Sequence, residues 1–386
     1  MRASLLFLAL FLSLALAACG DDSGAGTPMD LGADAEIDFG APPIASGASP
    51  SAETTAGRGV VRGAWWLHPV AADQSRLVSV EEDSRGRRGY NVYDATGESI
   101  RVDREGNLTL FAGNGVEGPV DVDVVYEFPF TRRPSTLVIG ADAADGTLDL
   151  LEMDEVTGDL QFPEGSIGDV PGLTVDTEAT LTGVCAYRNA EGAIYAFALA
   201  GTEILMYELF QNAGEDPSGT LVRSFTASAP AVGCVVDETL LRLHVALGLA
   251  GIETFDAAPD GSATGEVRNP RDAFFGGAAD VSFYRSPSQG GHLLVASAAD
   301  GAVAILDGIT LEFTDERFAV TSSGGIDAVM RTTGIDVINA RIAGDLEGAV
   351  AVVDGVGGGT NFKLVSWAVL RGTFPLDLDD RFDPRL

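Results

Sequence analysis

The apolar positions of this chain fall in short runs that recur, in sets of three, six times between residues 62 and 367. The second run of each set is the clearest, because it is bounded by Gly, Asp or Pro and is only about six residues long. These second runs are 76–81, 136–141, 194–200, 241–247, 292–298 and 349–354. Each of them predicts a mostly buried β-strand.

A third apolar run follows each second run within a few residues, and a first run precedes most of them. The third runs are 90–94, 148–153, 204–209, 251–256, 303–307 and 362–367, and the first runs include 122–126, 183–187, 233–237, 280–284 and 334–338. Successive sets therefore start roughly 45 to 60 residues apart, which is the period of a propeller blade. The pattern predicts an all-β fold, a six-bladed β-propeller.

Two alternative folds are weaker. Helices ordinarily need ten or more residues, whereas these runs are short and broken by Gly. A parallel β-helix would repeat at a much shorter period than this chain does.

Composition agrees with a folded, exported domain. Hydrophobic residues make up 46% of the chain and charged residues 21%, so the part after the leader can bury a large core. The net charge of −33 argues against a nucleic-acid partner, because phosphate backbones are bound by Lys/Arg surfaces.

The N-terminus resembles an export signal rather than part of the fold. Arg2 precedes an apolar stretch at residues 5–16 that is too short to span a membrane, and Leu-Ala-Ala-Cys closes it at residues 16–19. That tetrapeptide resembles the lipobox of bacterial lipoproteins, which implies a lipid on Cys19, a membrane partner through that lipid, and a location in the bacterial cell envelope. The alternative is an ordinary secretory signal with an incidental Cys.

The predicted organisation has three parts. Residues 1–18 are the signal peptide, residues 19–57 are a flexible tether rich in Gly, Ala, Ser, Asp and Pro, and residues 58–386 are the propeller domain. The tether has few large apolar residues, so burial cannot offset the entropy of ordering it.

Two cysteines remain after the leader, Cys185 and Cys234, in first strands of neighbouring units. An exported chain permits a disulfide between them, and two buried free thiols are the equal alternative. A zinc site is not indicated, because none of the three histidines lies at a zinc-type spacing from these cysteines.

Local catalytic motifs do not indicate a function. The chain has no Gly-x-Ser-x-Gly elbow, Walker loop, His-Glu-x-x-His sequence or calcium-loop repeat. The Gly-rich stretch at residues 355–360 follows a strand without opening a helix, so it indicates a loop rather than a phosphate site.

Several segments resemble, in the same order, landmarks of the β-propeller phytases. They are GYNVYDATG at 89–97, VDVVYEFPF at 122–130, GVCAY at 183–187, YEL at 207–209, GCVVD at 233–237, GIDV at 334–337 and NFKLVSW at 361–367. The resemblance covers roughly residues 64–367. It implies a six-bladed propeller whose active members hydrolyse phytate, with calcium held by carboxylates at one end of the channel and Lys/Arg holding phosphates.

The chain departs from that family at most positions that carry charge. An Asp-Asp pair is replaced by Val61-Arg62, an arginine by Val125, and further acidic positions by Val232, Ala246, Leu247, Gly277, Ala279 and Thr333. The nearby Trp66, His68 and Pro69 are kept. Calcium needs several oxygen ligands and a phosphate ester needs several cations, so these losses bear directly on activity.

Basic residues are also scarce. The chain has one lysine, Lys363, and the candidate phosphate-binding residues are Arg85, Arg87 and Arg88, ahead of Gly89. These three arginines form one basic corner, which is too few cations for a phosphate-binding channel.

Two functions remain open from the sequence. The first is a membrane-anchored, phytase-like propeller without catalysis or a cofactor, which binds an unknown ligand or protein through one face. The second is an active calcium-dependent 3-phytase or phosphomonoesterase with relocated ligands, for which the candidates are Glu81, Glu82, Asp83, Asp121, Asp123 and Asp327. The selective loss of charged positions favours the first.

Overall fold

The structure is a computed structural model. It describes residues 45–55, 58–82, 86–101, 109–115, 118–163, 166, 170–270, 273–286, 290–343, 346–355, 360–376 and 383. Within these residues, no helix is long and apolar enough to cross a membrane.

Nearly all regular structure in the described residues is β-strand, and the one α-helix is short. The strands of the N-terminal half are β1 (Ser46–Ala48), β2 (Ala52–Glu53), β3 (Arg58–Trp66), β4 (Arg76–Glu82), β5 (Arg88–Asp94), β6 (Phe111–Gly115), β7 (Pro119–Phe128), β8 (Ser135–Asp142), β9 (Thr147–Met153), β10 (Leu160–Gln161), β11 (Gly172–Thr174), β12 (Leu181–Arg188), β13 (Ile194–Ala200), β14 (Glu203–Phe210) and β15 (Ser218–Thr226). The remaining elements are β16 (Gly233–Asp237), β17 (Arg242–Ala246), β18 (Ile252–Asp256), β19 (Glu266–Arg268), β20 (Ala278–Tyr284), β21 (His292–Ser297), β22 (Ala302–Asp307), β23 (Phe313–Val320), β24 (Ile335–Ala343), β25 (Leu346–Asp354), β26 (Asn361–Ser366) and α1 (Trp367–Arg371).

The strands form six sheets, which confirms the prediction of a six-bladed propeller. Blade 1 is β3-β4-β5-β6, blade 2 is β7-β8-β9-β10 with β11, and blade 3 is β12-β13-β14-β15. Blade 4 is β16-β17-β18-β19, blade 5 is β20-β21-β22-β23, and blade 6 is β24-β25-β26. The first strands of successive blades contact one another in a closed ring, so they surround the central channel.

The N-terminal strands complete the last two blades. β2 pairs antiparallel with β26, with Ala52 opposite Leu364, and so supplies the fourth strand of blade 6. β1 pairs parallel with the outer strand β23 of blade 5. The chain therefore closes the ring by pairing strands from its two ends.

These two strands lie in the segment that composition assigns to the tether. β1 and β2 are short, and their pairing partners lie hundreds of residues away, so no local apolar pattern marks them. Strand pairing with the blades accordingly includes residues before 58, the predicted start of the propeller domain.

The core is built from the middle strands. Every residue of β8 and of β13 is buried, as expected for a strand covered by neighbouring blades on both faces. Between blades 1 and 2, the Tyr90 hydroxyl donates to Asp149 Oδ2 at 2.7 Å, and a Cβ on Gly140 would lie 1.7 Å from that hydroxyl oxygen. Glycine is thus required at 140 by close packing.

Candidate functional site

The upper end of the channel, defined as the end where the first strands begin, holds one buried cation between two buried carboxylates. The Arg62 guanidinium on β3 forms an ion pair with Asp280 on β20, across the channel from it. The same guanidinium donates to the backbone oxygens of Val232 at 2.6 Å and Ala279 at 3.1 Å. Arg62 therefore joins blade 1 to the edges of blades 4 and 5.

Asp121 on β7 is the second carboxylate at this end. Its two oxygens accept backbone N–H groups, Val122 at 2.9 Å and Val184 at 3.0 Å. Asp280 likewise accepts the Ile335 N–H at 2.9 Å. Each carboxylate is thus engaged by the first strand of the following blade.

Burial changes the pKa values of the two carboxylates at this end of the channel. Desolvation raises the pKa of Asp121 to about 7, and the positive charge of Arg62 opposes that rise. Desolvation also raises the pKa of Asp280, again opposed by Arg62. The guanidinium is therefore the charge that favours ionised carboxylates here.

A second tier of carboxylates lies one pleat further along the channel. Asp123 Oδ2 accepts the Ala186 N–H at 2.7 Å, and Asp336 Oδ2 accepts the Trp65 N–H at 2.7 Å. The Ser282 hydroxyl donates to Asp336 Oδ1 at 2.9 Å. Burial raises the pKa of Asp123 and of Asp336 to about 7. These aspartates act as connectors between blades.

The candidate calcium ligands are dispersed. Asp121 and Asp123 line the channel together, whereas Glu81 is fully buried within blade 1, where it accepts the Ser79 hydroxyl at 2.7 Å. Glu82 is the last residue of β4, the second strand of blade 1. Asp327 is bound to the buried ammonium of Lys363, and this hydrogen bond lowers the pKa of Asp327.

Among the residues that the structure describes, no group of three or more His, Cys, Asp or Glu side chains is arranged to hold a metal ion. The candidate ligand Asp83, the candidate phosphate-binding Arg85 and the candidate lipidation site Cys19 lie outside the described residues.

The other two candidate phosphate-binding residues lie beside the turn between β4 and β5. Arg88 begins β5 opposite Glu82, and Arg87 is exposed just before it. The strand register places the start of β5 at the same end of blade 1 as the start of β3, because Arg58 also pairs with Glu82. Arg87 and Arg88 thus lie at the upper end of blade 1.

Cys185 and Cys234 are joined by a disulfide, with their Cα atoms 5.7 Å apart. The bond links the first strands of blades 3 and 4, β12 and β16. It fixes two neighbouring walls of the channel covalently.

A set of polar residues at the lower end of the channel was missed by the sequence analysis. These residues, each from the last part of a first strand or just after it, are Trp65, Tyr126, Arg188, Glu238, Arg285 and Asn339. They belong to six different blades, so only the ring closure brings them together. The sequence signal that could have identified them is their recurring position at the ends of the first strands.

Comparisons with known proteins give one family. The sequence model of the family described as Phytase matches residues 43–386. A 3-phytase from Bacillus subtilis (strain 168) is 25% identical over 337 residues, which cover 83% of this chain and 83% of that protein.

Proposed function

The chain belongs to the phytase family, and from that premise we propose that it is a non-catalytic, lipid-anchored propeller acting as a binding or scaffold module. The position of Arg62 carries the proposal. Arg62 replaces one of a pair of acidic residues that the resemblance places at the upper end of the channel. Its guanidinium pairs with Asp280, and its charge opposes the raised pKa of Asp121 in the same pocket.

The residues at this end do not fit a calcium ion. Calcium takes six to eight oxygen ligands, typically including several carboxylates. Here both oxygens of Asp121 accept backbone N–H groups, and Asp280 is paired with the guanidinium. A divalent cation at this point would be repelled by Arg62, which already supplies the positive charge that the carboxylates require.

Phosphate binding is equally poorly supported. The single lysine lies on β26 of blade 6, is 1% exposed, and is held by Glu53 and Asp327. With a net charge of −33, the chain repels a polyanion such as phytate unless a local cluster of cations or metal ions attracts it.

The alternative is an active calcium-dependent phosphomonoesterase with relocated ligands. Its support is the cluster of channel aspartates, Asp121, Asp123, Asp280 and Asp336. Their hydrogen bonds to neighbouring first strands favour a structural role instead, because each bond joins one blade to the next.

Calcium titration of thermal unfolding tests the proposal. A site with a dissociation constant one hundredth of the calcium concentration would stabilise the fold by about 2.7 kcal/mol. In a domain of about 330 residues that is a rise in melting temperature of roughly 3–5 °C. We expect no such rise in wild type beyond that given by magnesium at equal ionic strength, and a calcium-specific rise of that size would contradict the proposal.

The anchoring part rests on the leader sequence. A lipid on Cys19 would hold the exported protein on a membrane of the bacterial cell envelope, leaving the propeller face free for an unidentified ligand or protein. Membrane fractionation of wild type and Cys19→Ser tests this, and a wild type that is soluble without detergent would contradict it.

A further inference from the structure

The lower half of the channel is a cavity of about 130 Å³ that the proposed function leaves unused. Its lining comes from first strands of all six blades, and it begins at the tier of Asp123 and Asp336, on the side away from Arg62. Arg62, Asp121 and Asp280 of the upper end do not line it, so its ligand need not contact them.

Arg188 is the unpaired cation of this cavity. It is the last residue of β12, it is partly buried, and it makes no hydrogen bond or ion pair with any described residue. The other arginine of the cavity, Arg285, is neutralised, because it donates to Glu238 Oε2 at 2.7 Å. A guanidinium carries five N–H donors and no acceptor, so the natural partner of Arg188 is an anion.

Trp65 adds a second unused donor. The residue lines the cavity and is only 5% exposed, and its indole N–H has no acceptor among the described residues. The neighbouring Trp66 differs, since its indole N–H donates to Thr136 Oγ1 at 3.1 Å. A buried donor without an acceptor is unfavourable unless a ligand supplies one.

The two aspartates on the cavity wall are already held by hydrogen bonds from the surrounding strands. Asp123 accepts the Val124 and Ala186 N–H groups, and Asp336 accepts the Trp65 N–H and the Ser282 hydroxyl. None of these bonds engages the Arg188 guanidinium or the Trp65 indole N–H, which stay without an acceptor among the described residues. These two unused donors favour a ligand that carries acceptors.

The rest of the cavity wall is apolar, and the carboxylates among these apolar residues limit the charge of the ligand. Val124, Val235, Phe283, Val337 and Ile338 lie between the polar groups. The carboxylates of Asp123, Asp336 and Glu238 repel any anion in the cavity, and they repel a doubly charged phosphate more strongly than a singly charged ligand that pairs with Arg188. A singly charged head group with an apolar body suits such a wall.

We propose that the lower channel binds a small organic monocarboxylate, with Arg188 pairing with the carboxylate, the Trp65 indole N–H as a second donor, and the apolar wall covering the ligand's body.

The experiment uses benzoate as the probe and benzamide as its uncharged analogue, each titrated calorimetrically into the full chain. Because only benzoate can form a charge-assisted hydrogen bond with Arg188, benzoate should bind at least about tenfold more tightly than benzamide. Arg188→Gln should weaken benzoate binding by a similar factor. The matched control Arg268→Gln, which removes the same charge from the outer strand β19, should change it less than about twofold, because exposed charges contribute little.

An NMR measurement on the wild type keeps the test independent of whether Arg188→Gln folds. In a chain labelled with ¹⁵N-tryptophan, benzoate should move the Trp65 indole N–H signal and leave that of Trp66, which already has an acceptor, in place. Trp65→Phe assigns the signal. Equal binding of benzamide, tighter binding of inorganic phosphate, binding independent of Arg188, or an unmoved Trp65 signal would each overturn the proposal.

Discussion

Replacing Arg62 with methionine should destabilise the propeller in a way that depends on pH. Methionine keeps much of the apolar stem of the side chain but removes the guanidinium that pairs with Asp280 and bonds to the Val232 and Ala279 oxygens. Both side chains of the pair are only 9% exposed, so water cannot replace the lost partner.

The magnitude follows from the contacts. Removing one member of a buried ion pair typically costs about 3–5 kcal/mol, because the other charge is left uncompensated. Asp280 can escape that cost by taking up a proton. Its pKa is already raised by burial and would rise further without Arg62, so the folded variant holds a proton that the unfolded chain releases.

The sign of the pH dependence is therefore fixed. The variant loses stability as pH rises from the ordinary pKa of an aspartate toward the raised pKa of Asp280 in the folded state. We expect a loss of about 3–5 kcal/mol near pH 8 and a loss smaller by at least about 1 kcal/mol near pH 5.

Urea unfolding of wild type and Arg62→Met at both pH values measures these losses. The double variant Arg62→Met/Asp280→Asn is the matched control, because it removes both charges while the Asn oxygen can still accept the Ile335 N–H. It should recover much of the stability near pH 8. A loss below about 1 kcal/mol, or one equal at both pH values, would refute the assignment of Arg62 as the internal countercharge.

Three further predictions concern other parts of the chain. Reducing the Cys185–Cys234 disulfide, which spans a sequence separation of 49, should lower the free energy of unfolding by roughly 2–4 kcal/mol, and an unchanged urea midpoint after reduction would contradict this. The pKa of Asp123 is raised to about 7, so its protonated form contributes stability that is lost as pH rises from about 4 to about 7. Over that pH range, the free energy of unfolding of Asp123→Asn, measured in urea, should rise relative to that of wild type by about 2–4 kcal/mol. The control Asp260→Asn, at an exposed position, should show no such change. Replacing Cys19 with Ser should move the protein from the membrane to the soluble fraction on centrifugation, since lipid chains contribute about 0.8 kcal/mol per buried CH₂.

The blades were predictable because their inner and middle strands are buried. β13, Ile194–Ala200, is covered on both faces, so its apolar run marks the strand over its full length. The outer strands gave no such signal. All of β19, Glu266–Arg268, is exposed, and most of β15, Ser218–Thr226, is exposed or only partly buried, so neither carries a continuous apolar run.

The site was predictable only in part. The resemblance implies that this chain lacks carboxylates at several positions, and two aspartates that remain, Asp121 and Asp123, do line the channel. The role of Arg62 could not be inferred, because its partners Asp280 and Val232 lie on blades 4 and 5 and meet it only through ring closure. The same reason hid the lower cavity, to which each blade contributes one or a few residues.

Phosphate release from phytate, with and without calcium, tests the central claim most directly. With Arg62 at the upper end of the channel and no described group of carboxylates arranged for a metal, we expect release no faster than a no-enzyme blank at any calcium concentration. The 3-phytase from Bacillus subtilis, assayed in parallel, serves as the positive control. Calcium-dependent release by this chain that disappears in the Asp121→Ala/Asp123→Ala variant would contradict the account and establish a working phytase with relocated ligands.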